Sequence, residues 1–169
     1  DKDVGVIIFE HRDMPNIQAM VEQYVMQGIQ DAKYRVIVLD NITALQNLVL
    51  ENIDNAAKDN RQNYQKLQLW FRDLGTILKE SGKSVYATAH QLDNGSSGIS
   101  GEGRYQADMN EKTFNAFTSM FDLVGRIYLA GGERMIDLDP EKGNHAKNRI
   151  DNRKLIKANE LIQTTKGAK

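Results

Sequence analysis

The chain has 169 residues, 22 basic against 23 acidic side chains, a net charge of −1 and no cysteine. Near-neutral charge supplies no overall field for nucleic acid or an anionic membrane, so any nucleic-acid contact must be local. The absence of thiols excludes disulfides and thiolate metal centres. No run of about 20 apolar residues and no signal peptide is visible, which predicts a soluble, cytoplasmic protein. The even composition predicts one main domain over residues 1–150, large enough for a core, and a polar tail over 151–169.

Residues 4–9 (VGVIIF) form a short apolar run ending at Glu10, the pattern of a buried strand. The segment HRDMPN then breaks the pattern, with Pro15 suited to a first helical turn. Over residues 16–32, Ile17, Met20, Val21, Tyr24, Val25 and Ile29 recur at helical spacing. Residues 35–39 predict a second strand, buried on both faces and ending at Asp40. Strand, helix and strand in this order predict a right-handed βαβ unit of a parallel sheet.

After Asp40 a helix is expected, with Leu45, Leu48, Val49 and Ile53 apolar. Residues 51–63 are polar and Asn-rich, a loop or a solvated helical turn. Residues 64–80 predict an amphipathic helix with Leu67, Trp70, Phe71, Leu74, Ile77 and Leu78 on one face, stopped by Ser81-Gly82. A third buried strand is expected over 85–89, ending at His90-Gln91. Residues 92–110 carry four glycines and read as a long loop. A helix over 111–121, a strand over 123–129, a hairpin into 134–138, a short strand within 145–150 and a partly helical tail complete the reading. The fold class expected is α/β, a mostly parallel central sheet flanked by helices with a C-terminal antiparallel hairpin.

Three expected strands thus end in Glu10, Asp40 and His90-Gln91. In a parallel sheet these ends share one edge, where open α/β sheets bind ligands. Phosphoryl transfer needs a carboxylate to hold hydrated Mg²⁺, a second to orient or deprotonate water, and a neutral polar group near the terminal phosphate to sense it. Asp40 suits the first role, Glu10 the second, and His90 or Gln91 the third. Each has a plainer reading as well: Asp40 as a strand-end turn residue, Lys147 and Arg149 as surface charges, and Trp70 with Phe114, Phe117 and Phe121 as core.

The ordered set of a strand ending Glu10-His11, Walker-B-like VIVLD, a long amphipathic helix, a strand ending His90-Gln91, a glycine-rich stretch, LVGRIYL and Lys147-Asn148-Arg149 resembles the RecA-like recombinase ATPase core. It is most similar to phage RecA-like nucleotide-binding proteins that work with single-strand annealing. The resemblance covers about residues 4–150 and implies a P-loop NTPase fold, ATP and Mg²⁺ as cofactors, and a homo-oligomer acting on single-stranded DNA in recombination. It implies that Glu10 activates water and that Asp40, followed by Asn41, is the Walker B aspartate and Mg²⁺ ligand. Gln91 or His90 would sense the γ-phosphate, and Lys147 and Arg149 would reach the ATP of a neighbouring subunit. Residues 46–63, with Arg61, and 92–110, with Arg104 and Tyr105, match the two DNA-binding loops, and Lys112 follows the second.

One departure stands out. The phosphate-binding motif G-x-x-x-x-G-K-[ST] is absent from the sequence. Gly82-Lys83-Ser84 carries the last three letters, but Leu78 stands where the first glycine belongs, and the triplet precedes a strand instead of opening a helix. The start at Asp1 in place of Met, with Glu10, Asp40 and Gln91 retained, favours a fragment whose loop precedes Asp1 over a lineage that lost nucleotide binding. The chain alone is then expected to be inactive, and a DNA-dependent ATPase once the loop is restored. A ring helicase or another motor ATPase of the same fold, and a catalytically silent interaction module, are the alternatives.

Overall fold

Leu67, Phe71, Leu74 and Leu78 recur every three or four residues, which places them on one stripe of a helix. In the computed structural model that helix runs Asn60–Glu80, and all four side chains are buried. The structure describes residues 4–95, 104–140 and 144–161. These form two compact units: Asp1–Ala89 with Met109–Met120, and His90–Asp108 with Phe121–Lys169.

The first unit holds four helices: α1 (Ile17–Gln30), α2 (Ile42–Glu51), α3 (Asn60–Glu80) and α4 (Glu111–Thr118). Their apolar stripes close a core of Ile17, Val21, Val25, Ile42, Val49, Phe114 and Phe117 around the α3 residues. Phe71 and Phe117 meet edge to face at 5.5 Å, the favoured aromatic geometry. Each helix start is marked in sequence. Asn41, Asp59 and Asn110 accept backbone N–H bonds from Ala44, Arg61 and Thr113, respectively, satisfying donors that a first turn leaves open. Gly82, at φ +70°, turns the chain out of α3.

Beside the helices lies a parallel pair, β1 (Val36–Leu39) and β2 (Ser84–Ala87), in register Val36 to Ser84 and Leu39 to Ala87. The ladder continues past the strand ends: Thr88 N–H donates to the Leu39 carbonyl at 3.0 Å, and Ile42 N–H to the Thr88 carbonyl at 2.8 Å.

The second unit is built from short antiparallel pieces. Strands β3 (Gln91–Asp93) and β4 (Tyr105–Ala107) pair with each other. Strand β5 (Leu123–Val124) pairs with β8 (Lys147–Asn148). Strand β7 (Glu133–Asp137) lies between β6 (Arg126–Ala130) and β9 (Leu155–Lys157). Ile136, Leu138 and Ile156 form its core, with Leu123, Ala158 and Leu161 packed on them.

The mixed α/β class and the C-terminal hairpin are as expected, while the mostly parallel central sheet is not seen. β1–β2 is the one parallel strand pair among the described residues, and the other three sheets are antiparallel. Residues 4–9 form no strand, and Val4, Val6 and Ile8 are exposed. A strand exists only through hydrogen bonds to a neighbour, and no described segment pairs with this one. Nor is β1 buried on both faces: Val36 and Val38 are 47% and 59% exposed. The expected loop over 92–110 carries most of β3 and all of β4, with residues 96–103 outside the described set. The expected strand over 123–129 breaks at Gly125, and the tail read as partly helical contributes β9 before a 3₁₀ turn at Ala158–Glu160.

Candidate functional site at the strand ends

Parallel strands bring their carboxyl ends to one edge, and β1 and β2 do so with Asp40 and Thr88. The Thr88 hydroxyl donates to Asp40 Oδ1. Asp40 is exposed, so one carboxylate oxygen is held while the group still faces solvent. Asn41, joined to Asp40 by a cis peptide, caps the next helix: its Oδ1 accepts Ala44 N–H at 2.8 Å. The residue expected to touch cofactor therefore also starts α2. Ile42 and Thr43, the next two residues, are buried and lock that start in place.

Glu10 sits in the irregular segment ahead of a 3₁₀ turn, His11–Asn16. Its backbone N–H donates to Asp13 Oδ2 at 2.7 Å, and its Oε2 lies 3.0 Å from Arg12 Nε. Both partners of that ion pair are exposed, so it is a weak tether.

The remaining candidates lie in the second unit, or on helices of the first. The His90 carbonyl accepts Asp108 N–H at 2.8 Å, closing the base of the β3–β4 hairpin. Gln91 opens β3, and its Oε1 accepts from Arg126 Nε at 2.6 Å. Lys147 pairs across β8 with Val124, and Arg149 N–H donates to the Asp122 carbonyl at 2.9 Å. Arg61 lies exposed in the first turn of α3 and Lys112 exposed in the first turn of α4. Gln46 through Glu51 belong to α2, and Gln46 is buried with Oε1 accepting Asn110 N–H at 2.8 Å. Only residues 52–59 of the first expected DNA-binding loop are non-helical.

Arg104 and Tyr105, by contrast, belong to a built cluster. Arg104 grips Asp93 through two bonds, Nε to Oδ1 at 3.0 Å and Nη2 to Oδ2 at 3.2 Å, the planar fork that suits a carboxylate. Its guanidinium also lies 4.7 Å from the Tyr105 ring centroid, and that of Arg126 lies at 3.5 Å. The Arg104 bond, followed by the Gly95 backbone N–H, holds the Asp93 carboxyl below its ordinary range. Asp93 in turn holds the Arg104 guanidinium above its own.

Two residues of these clusters escape sequence reasoning, Thr88 and Arg126. Thr88 carries a weak signal: a hydroxyl two residues before His90-Gln91, level with the strand-end aspartate. Arg126 carries another, a cation inside the apolar run LVGRIYL.

A family model described as an AAA domain matches residues 1–150. The chain belongs to the AAA domain family. No curated protein and no solved structure matches it. An AAA domain is a P-loop NTPase-like, nucleotide-binding ATPase type, and its nucleotide typically comes with Mg²⁺. The donors at the β1–β2 edge fit that ion. Mg²⁺ prefers hard oxygen ligands and is usually held by one or two carboxylates, water and the phosphates of its nucleotide. Asp40, exposed and oriented by Thr88, offers one such carboxylate. Among the described residues no group of three or more His, Cys, Asp or Glu side chains is placed to hold a metal unaided. No helix among them is long and apolar enough to cross a membrane.

Proposed function

We propose that this AAA domain carries a Mg²⁺-facing carboxylate, Asp40, and a phosphate-facing amide, Gln91, of an ATP-hydrolysing RecA-like recombination protein that acts on single-stranded DNA as an oligomer. The observation that carries the reading is the Thr88 hydroxyl donating to Asp40 at the carboxyl edge of the parallel pair. A ligand carboxylate held by a neighbouring donor keeps one orientation, which is how outer groups tune a metal ligand. Asp40 would hold the hydrated ion, and Thr88 would orient Asp40. An Mg²⁺ ion held there would supply the positive charge that phosphoryl transfer needs. Glu10 would orient the attacking water once released from Arg12. Lys147 and Arg149 would reach a neighbouring subunit's nucleotide. Support for the DNA role is the Arg104–Tyr105–Arg126 cluster, since base stacking on aromatics beside cations is the common basis of single-strand binding.

The test is ATP turnover by the gene product with and without a thymidine oligonucleotide. Asp40→Ala and Glu10→Gln are each expected to bring DNA-stimulated turnover to background. Thr88→Val is expected to lower turnover by about tenfold, the usual loss for a group behind a metal ligand. Unchanged turnover in both Asp40→Ala and Glu10→Gln overturns the assignment.

A further inference from the structure

In β3 and β4, side chains alternate between faces, so Gln91 and Asp93 share a face with their partners Ala107 and Tyr105. On β6, Arg126 and Tyr128 likewise share a face. The Arg126 guanidinium lies 3.5 Å from the Tyr105 centroid and 4.9 Å from that of Tyr128. Its Nε donates to Gln91 Oε1 at 2.6 Å.

A glutamine amide is ambivalent, with an oxygen that accepts and an NH₂ that donates. A guanidinium has donors and no acceptor. Only the Gln91 oxygen can therefore face Arg126, and the two N–H groups must point elsewhere. Among the described residues Gln91 Nε2 has no partner. Two aromatic rings keep the guanidinium in place, so the amide is fixed in one of its two orientations. A fixed pair of donors, backed by a cation, suits an anionic oxygen and is wasted on a cationic or purely donating ligand.

We propose that Arg126 is a positioning residue that turns Gln91 into a fixed donor for a phosphoryl oxygen. This rests on the reading of Gln91 as phosphate-facing. The oxygen belongs to the terminal phosphate of a nucleotide or to a nucleic-acid backbone, and both present the same chemistry. The arrangement also ties that donor to Tyr105, because one guanidinium serves both.

The experiment measures binding of Mg·ATP and, separately, of a fluorescent thymidine oligonucleotide to the gene product. The variants are Arg126→Ala, Gln91→Ala, the double variant and Gln91→Glu. Gln91→Glu keeps an oxygen for Arg126, leaves the stack in place, and removes both N–H donors. Each single variant is expected to weaken binding of at least one probe by roughly tenfold, the worth of one hydrogen bond to a charged group. The double variant should be no worse than the singles, because the two residues act as one unit. A loss confined to Mg·ATP assigns the oxygen to the nucleotide, and one confined to the oligonucleotide assigns it to the backbone. Losses that multiply in the double variant, or wild-type binding by Gln91→Glu, overturn the proposal.

Should wild type bind neither probe, the phosphate reading of Gln91 has failed, and the positioning role is judged by NMR. Arg126→Ala is then expected to move the Gln91 side-chain NH₂ resonances to free-amide positions and abolish their cross-peaks to the Tyr105 ring. Unmoved resonances would show that Arg126 positions nothing.

Discussion

At the scale of single residues, what mattered for legibility was the distance along the chain between partners. Asp40 was readable because an apolar run that stops at a carboxylate is a local pattern. Its partner Thr88 was not, because the pair is 48 residues apart and exists only once β1 and β2 align. Arg126 and Gln91, 35 apart, escaped for the same reason. Glu10 reads as a strand end in sequence because nothing local tells a strand from an apolar run without a neighbour. Gly125 has a meaning that sequence conceals. A Cβ there would stand 2.7 Å from Ile136 Cγ2, 2.8 Å from Leu138 Cδ2 and 3.1 Å from the Asp137 carbonyl oxygen. Those distances are too short for carbon, so the Ile136 and Leu138 side chains and the backbone at Asp137 must give way to admit it. Gly125→Ala is expected to destabilise the second unit by about 1–3 kcal/mol, the usual range for overpacking. Urea unfolding followed at second-unit resonances measures it.

At the scale of elements, helices are legible throughout, whereas strands are legible in position over 35–39, 85–89, 123–129 and 134–138 but not in their pairing or burial. A helix satisfies its own backbone, so the spacing of Leu67, Phe71, Leu74 and Leu78 sufficed to find α3. Its start, at Asn60 rather than Tyr64, was missed because the first turn is polar and marked only by the Asp59 cap. A strand borrows its partners from elsewhere, so the apolar content of residues 4–9 and 35–39 could not report how well each is covered. In the structure Val36 and Val38 leave an apolar face of β1 open to solvent. Exposed apolar strands with free edges promote association between chains. Val38→Lys is expected to reduce self-association in analytical ultracentrifugation. It should leave the thermal midpoint within a few degrees of wild type, because little packing is lost at an exposed site.

At the scale of the whole molecule, the two units differ in what holds them. The first rests on a helical core centred on Phe71 and Phe117. The second has a smaller core and carries polar clips at its surface. Asp93 is held by Arg104, Asp151 by the Arg153 and Asn148 N–H groups, and Lys157 by Glu133. The two aspartates have their pKa lowered in the folded chain. Their contribution is therefore complete above the unfolded value of about 3.9 and lost as pH falls through the folded one. Lys157 has its pKa raised, so its contribution is complete below about 10.4 and lost as pH rises beyond. All three are exposed, so salt weakens them. The second unit is expected to be most protected between about pH 5 and pH 10, with a shallow acid limb. Amide hydrogen exchange against pH checks this, and Asp93→Asn should flatten the acid limb at β3 and β4.

The placement of α4 has a consequence for how the protein is made. Phe114 and Phe117 complete the core of the first unit, yet they are encoded after the β3–β4 hairpin of the second. A ribosome that has released residues 1–89 has exposed α1, α2 and α3 with the seat for α4 still empty. The first unit must then wait, with Phe71 lacking its Phe117 partner, while the whole hairpin is translated. Apolar surface left open in that interval is aggregation-prone, and the hairpin's length sets how long it stays open.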